Sequence, residues 1–170
     1  KGGTDVKWSI PADYFSNVLV PQLGKFADCS FQVRRRGFYP KGGGFVVFRC
    51  RPKKATASAP RVSLMERGDV FRVRGVSFSS SDLQPTEVAD RQSSAARVSL
   101  YDLRVPVDVM PAYGASSSPG SGVVAWAVCG SSEGVDAQNP VLIGASALGE
   151  RQLRAEAVGE EAASSLKGAL

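Results

Sequence analysis

The chain has 170 residues, of which 43% are hydrophobic and 22% charged, enough to bury a core as one domain or two small ones. No apolar run reaches the roughly 20 residues of a membrane-spanning helix, and the first residues do not form a signal peptide, so a membrane is not an expected partner. The net charge of +5 is uneven: residues 1–81 carry 15 Lys+Arg against 5 Asp+Glu, while residues 82–170 carry 6 against 11. A basic N-terminal half suits a nucleic-acid or nucleotide partner, and equally a well-solvated surface.

Gly2-Gly3-Thr4-Asp5 reads as a turn. A helix is predicted to start at Pro11 and Asp13, with Phe15, Val18, Leu19, Leu23 and Phe26 at helical spacing and Pro21 as a kink. Phe31 and Val33 alternate with polar residues, predicting a strand that runs into Arg34, Arg35 and Arg36. Phe45 to Cys50 predicts its return beyond the glycine triplet. Lys53 to Pro60 is a polar, Ala/Ser/Pro-rich connector. A long strand is predicted from Val70 to Phe78, with a bulge at Gly75, followed by a helix over 86–100 and a strand over 105–110. Residues 115–122 form a Ser/Gly/Pro loop, expected to be mobile. Val123 to Cys129 is nearly all apolar and reads as a buried central strand. After a loop over 131–139 come a short strand at Val141, Leu142 and Ile143 and a closing amphipathic helix through Ala155, Val158, Ala162 and Leu166. The fold class is therefore α/β (α+β).

There are three widely spaced cysteines, no Cys-x-x-Cys and no histidine. A disulfide framework and a zinc site are both unsupported; each cysteine is expected as a buried or half-buried apolar side chain in a reducing, intracellular compartment. No convincing acid/base pair of carboxylates stands out, and Asp13 is expected to serve the helix start.

The densest stretch runs from Arg34 to Val46. Its glycines open positive φ angles and can bare N–H groups toward an anion, and its arginines are planar phosphate donors. A hairpin turn beside a solvated basic strand explains the same composition. Arg36, Gly37, Pro40, Gly42, Gly43, Gly44 and Val46 fill, without a gap, the signature of the RNA 3′-terminal phosphate cyclase family. Gly2-Gly3-Thr4-Asp5 with Pro11-Ala12-Asp13-Tyr14, and Gly144 to Arg151 followed by Ala155 to Gly159, resemble segments upstream and downstream of that signature.

The resemblance implies a body of repeated α/β units, of which residues 1–66 are a part, interrupted by a small thioredoxin-like insert at residues 67–170. Family members are about twice this long. With no methionine before Lys1-Gly2-Gly3, the chain reads as an internal piece whose further partner is the remainder of its own polypeptide.

The implied activity uses ATP and a divalent cation, Mg or Mn. A histidine takes AMP, the AMP passes to an RNA 3′-phosphate, and the neighbouring 2′-hydroxyl displaces it to leave a 2′,3′-cyclic phosphate. The nucleophile and the metal ligands are expected outside this chain, so no catalytic or metal-binding residue is assigned within it. A family proline that packs on adenine aligns with Ile10, and Pro11 follows one place later; these two are the candidate cofactor contacts. Arg36, at the signature's basic place, is expected to hold the turn. Arg34, Arg35 and Lys41 are candidates for RNA phosphate, with Phe38 and Tyr39 as stacking or core aromatics. Along a strand Arg34 and Arg36 are expected on one face and Arg35 on the other. The compartment is intracellular, nuclear in a eukaryote. Two alternatives are a non-catalytic cyclase-like factor in ribosome assembly and a plain RNA-binding module on residues 1–66.

Overall fold

The structure, a computed structural model, describes residues 2–53, 66–137 and 140–170. Most of the predicted 53–60 connector, and the end of the 131–139 loop, lie outside the described residues.

A four-stranded sheet organises the C-terminal part. Its strands are β3 (Asp69–Ser80), β4 (Val107–Gly114), β5 (Ser121–Gly130) and β6 (Val141–Leu148), in the order β4-β3-β5-β6. β3 runs parallel to β4 and antiparallel to β5, which is antiparallel to β6. The apolar run predicted as a central strand is β5, covered on both faces. Val123, Ala125, Ala127 and Cys129 face helices α2 (Val88–Leu100) and α3 (Ala155–Ala169), against Ala96, Leu100, Val158, Ala162, Ala163 and Leu166. A parallel strand–helix–strand unit, an antiparallel hairpin and a closing helix make this the expected thioredoxin-like α/β arrangement.

Three details differ from the sequence expectation. The irregularity in β3 lies between Val70 and Arg72, not at Gly75. Gly75 instead permits close approach, because a Cβ there would stand 2.8 Å from the Val124 carbonyl oxygen. β6 continues five residues past Ile143 through small side chains that pair along β5, from Cys129↔Val141 to Gly122↔Leu148. The helix before β4 starts late: Ser81–Thr86 is a 3-10 turn, and Glu87 adopts a left-handed φ of 52° before Val88.

The N-terminal part is smaller. Helix α1 passes from Ala12–Tyr14 through a π-helical stretch, Phe15–Leu19, to Val20–Gln22. The wide turn closes with the Val20 N–H donating to the Phe15 carbonyl, just before Pro21, which has no N–H to give. Strands β1 (Ala27–Arg35) and β2 (Phe45–Pro52) form an antiparallel ribbon. Phe15 packs on it, its ring 5.1 Å from Phe31 and 5.6 Å from Phe48.

Helix α1 and the β1–β2 turn cover the sheet face opposite α2 and α3. Val18 and Phe38 join Phe78, Val124 and Trp126 in one buried cluster. Gly144 makes room for this layer: a Cβ there would come within 2.7 Å of both Tyr14 and Val18. The described residues thus build three layers, helix pair, sheet, and helix with turn. Among them no helix is long and apolar enough to cross a membrane.

Candidate functional site

The glycine-rich turn is built by backbone meeting backbone. Gly44 donates to the Gly2 carbonyl at 2.7 Å, and Gly2 donates back to Gly44 at 3.1 Å. Gly42 donates to Phe38, Thr4 donates to Gly37, and the Gly37 N–H reaches the Thr4 hydroxyl at 2.9 Å. A Cβ on Gly37 would lie 2.3 Å from the Gly44 nitrogen and 2.5 Å from the Gly2 oxygen, so only glycine allows this contact. Gly42 and Gly43 are required for another reason, φ values of 59° and 72°. The N–H groups of Gly37, Gly42 and Gly44 are therefore spent on protein acceptors, and the turn is not a bare anion cradle.

Arg36 lies beneath this turn in a closed constellation. Its Nη1 donates to Asp13 at 2.6 Å and to the fully buried Asp5 at 3.2 Å. Asp5 also accepts from the Thr4 hydroxyl at 2.7 Å and from the Ala12 N–H at 3.3 Å. Burial pushes the Asp5 carboxyl above its ordinary pKa, against the pull of Arg36 and the Thr4 hydrogen bond. The guanidinium carbon sits 4.2 Å over the Phe78 ring, and Phe38 stacks on Phe78 from 6.2 Å. Arg36 thus holds the turn, the start of α1 and the four-stranded sheet together. Asp13, expected to serve the helix start, gives its carboxylate to Arg36, and Asp5 instead accepts the Ala12 N–H at the start of α1.

The strand alternation stops short of Arg36. Register shifts between Val33 and Arg35, leaving Arg34 as the extra residue, so Arg34 and Arg36 do not share a face. Arg34 and Lys41 are exposed, and among the described residues their side chains have no hydrogen-bond or ion-pair partner. Arg35 Nε donates to the Gly43 carbonyl at 2.7 Å and clasps the turn from outside. The loop expected to be mobile is pinned underneath: Ser118 is buried and accepts from the Lys41 N–H, while Ser80 and Gly120 exchange hydrogen bonds.

A shallow recess lies beside the turn. Ile10, 55% exposed, stands between two grooves, one with Trp8, Pro11, Tyr14 and Ser146, the other with Gly2, Gly3, Phe15 and Gly44. Pro11 is buried at the N-cap of α1. Trp8 is fully exposed with a left-handed φ of 65°.

The sequence profile described as RNA 3′-terminal phosphate cyclase, insert domain, matches residues 65–170. The chain belongs to the RNA 3′-terminal phosphate cyclase family. It is 41% identical over 166 residues to a protein of Archaeoglobus fulgidus named RNA 3′-terminal phosphate cyclase, covering 97% of this chain and 44% of the relative. Proteins of the same name from Pyrobaculum aerophilum and Ignicoccus hospitalis are 41% identical over 167 and 173 residues. The chain thus spans somewhat under half the length of the relatives it matches.

Within this chain the structure brings together Ile10, Pro11, Arg36, Gly37, Gly42 and Gly44 around the N-terminal segment, with Pro40 in the turn and the side chains of Arg34, Arg35 and Lys41 on its outside. Trp8 was not singled out from the sequence; a tryptophan between Lys7 and Ser9 gives no sign that it will be turned outward. Asp5 and Asp13 are engaged by Arg36, and no cluster of three His, Cys, Asp or Glu exists among the described residues.

Proposed function

We propose that this chain is part of an ATP-dependent RNA 3′-terminal phosphate cyclase. Residues 1–66 would contribute to the body and residues 67–170 form the insert. The complete protein would convert an RNA 3′-phosphate to a 2′,3′-cyclic phosphate inside the cell. The observation that carries this reading is the gap-free signature turn, closed on itself by Gly2, Gly37 and Gly44 and locked by Arg36, in a chain whose relatives bear the cyclase name.

ATP supplies an activated adenylyl group, which turns a poor phosphate leaving group into a good one. The role of these residues is to bind and orient. Ile10 and Trp8 offer apolar surface to a base, with Tyr14 behind them. Arg34 and Lys41, together with the terminal nitrogens of Arg35, offer cations to RNA phosphates. This chain has no histidine, so in this reading a histidine nucleophile would lie in the rest of the polypeptide, where the metal ligands are also expected.

The test uses the complete polypeptide incubated with metal and ATP labelled at the α-phosphate. An acid-sensitive covalent label, discharged by RNA ending in a 3′-phosphate, is the expected result. A protein that stays unlabelled with both in excess overturns the enzyme reading and leaves the non-catalytic assembly factor. RNA binding indifferent to the 3′-phosphate, without label, points to the plain binding module.

A further inference from the structure

The β1–β2 ribbon places Cys29 and Cys50 opposite each other in register. Their sulfurs are 3.1 Å apart, with the Cys29 thiol donating to Cys50 Sγ. Opposed residues in an antiparallel pair have Cα atoms roughly 4.5–5.5 Å apart, inside the span of about 4.4–6.8 Å that a disulfide bridges. The register therefore puts a disulfide within reach of these two residues.

The position is accessible. Cys29 is half-buried, as expected of each cysteine, but Cys50 is exposed, contrary to that expectation. They continue the cross-strand row Val33·Val46 and Phe31·Phe48, one step beyond the pair that Phe15 covers. Cys129 meets the expectation, being buried in the sheet core among Ala125, Ala127 and Leu166.

We propose that Cys29 and Cys50 form a redox modification site, a vicinal dithiol that a hydroperoxide converts to an intramolecular disulfide. One thiolate attacks the peroxide, breaking the O–O bond and becoming a sulfenic acid as an alcohol, or water from hydrogen peroxide, departs. The second thiolate attacks that sulfur, forming the S–S bond and expelling hydroxide, which takes up a proton as water. Two thiols lose two electrons and two protons, and the peroxide is reduced. Excess cellular thiol reverses the step by exchange, so the site suits a reducing compartment. The new bond closes the loop between residues 29 and 50, which carries Arg34, Arg35, Lys41 and the glycine turn. It restricts how far the ribbon can open at its base. The inference stands apart from the cyclase reading.

The experiment treats the complete polypeptide, under native conditions, with near-stoichiometric hydrogen peroxide. Acid quench, denaturation, alkylation and peptide mass mapping follow. The expected product is one species joining the Cys29 and Cys50 peptides, lighter than their sum by two hydrogens and separated by dithiothreitol, with Cys129 recovered alkylated. In Cys50→Ser the cross-link disappears and a dimedone adduct accumulates on Cys29. Three outcomes overturn the proposal: both peptides recovered as free alkylated thiols, separate oxidation of each cysteine to sulfinic acid, or cross-links joining either one mainly to other cysteines.

Discussion

The two parts of this chain are held together in different ways. The four-stranded unit buries a continuous apolar interior, with Val73, Val109, Val123, Ala125, Ala127, Ala162 and Leu166 all at or near zero exposure. Burial of this kind is non-directional, and its interior tolerates modest repacking. The N-terminal part buries few apolar side chains, chiefly Ala12, Val18, Ala27 and Phe38, and leaves Phe26, Phe45 and Phe48 more than 40% exposed. Its coherence comes from backbone pairs among Gly2, Thr4, Gly37 and Gly44 and from the Asp5–Arg36–Asp13 constellation. Such contacts are directional and intolerant. A substitution at the turn should therefore cost much locally and spare the insert.

Arg36→Met sets the sharpest trial. It leaves the buried Asp5 without its cation, at a cost of about 3–5 kcal/mol. Amide hydrogen exchange should show protection lost around 2–5, 12–22 and 37–44, while β5 keeps its own; equal loss in β5 would erase the distinction. Gly37→Ala comes next, at about 1–3 kcal/mol, because its methyl meets backbone at 2.3 Å rather than a movable side chain. Denaturant titration of the variant against the parent chain measures this.

On the insert side the decisive charges are superficial. Arg91 holds Glu156 through two hydrogen bonds of 2.7 and 2.9 Å, tying α2 to α3 and drawing the Glu156 pKa down from 4.5 to about 2. A depressed carboxylate pKa contributes stability above its unfolded value and loses it as pH falls through the folded one. Glu156→Gln should therefore remove a modest surface ion-pair contribution that is present above pH 4.5, and flatten the acid limb between pH 4.5 and about 2, below which parent and variant converge. A profile as steep as the parent's in that window refutes the assignment. The smallest expected structural effect belongs to Lys41→Ala and Arg34→Ala, each within about 0.5 kcal/mol of the parent. Their effect is expected in RNA binding, where each loss lowers the logarithmic salt slope by about one. Destabilisation by either would return these cations to the scaffold.

The order of elements from Val70 onward was legible because burial on one or both faces writes a plain period into the chain. The signature drew attention to Arg36 but gave no sign of its carboxylate partners, Asp5 and Asp13. What stayed hidden depended on register and tertiary company. β6 runs through Gly144, Ala145, Ser146 and Ala147, residues with weak strand preference: Tyr14 and Val18 leave no room for a side chain at Gly144, while Ala145 and Ala147 face the helix pair. The shift between Val33 and Arg35 undid the alternation used to pair Arg34 with Arg36. Cys29 and Cys50 look unrelated until the ribbon's register sets them side by side. The serines of 115–122 look like free loop, yet Ser118 serves the Lys41 backbone.

Because the glycine turn closes on its own backbone, its geometry makes no demand on the identity of residues 34 and 41. Shape and preference are thereby written in separate places. The charge displayed at those two positions can be raised, lowered or inverted by single exchanges, while the turn that carries them keeps its form.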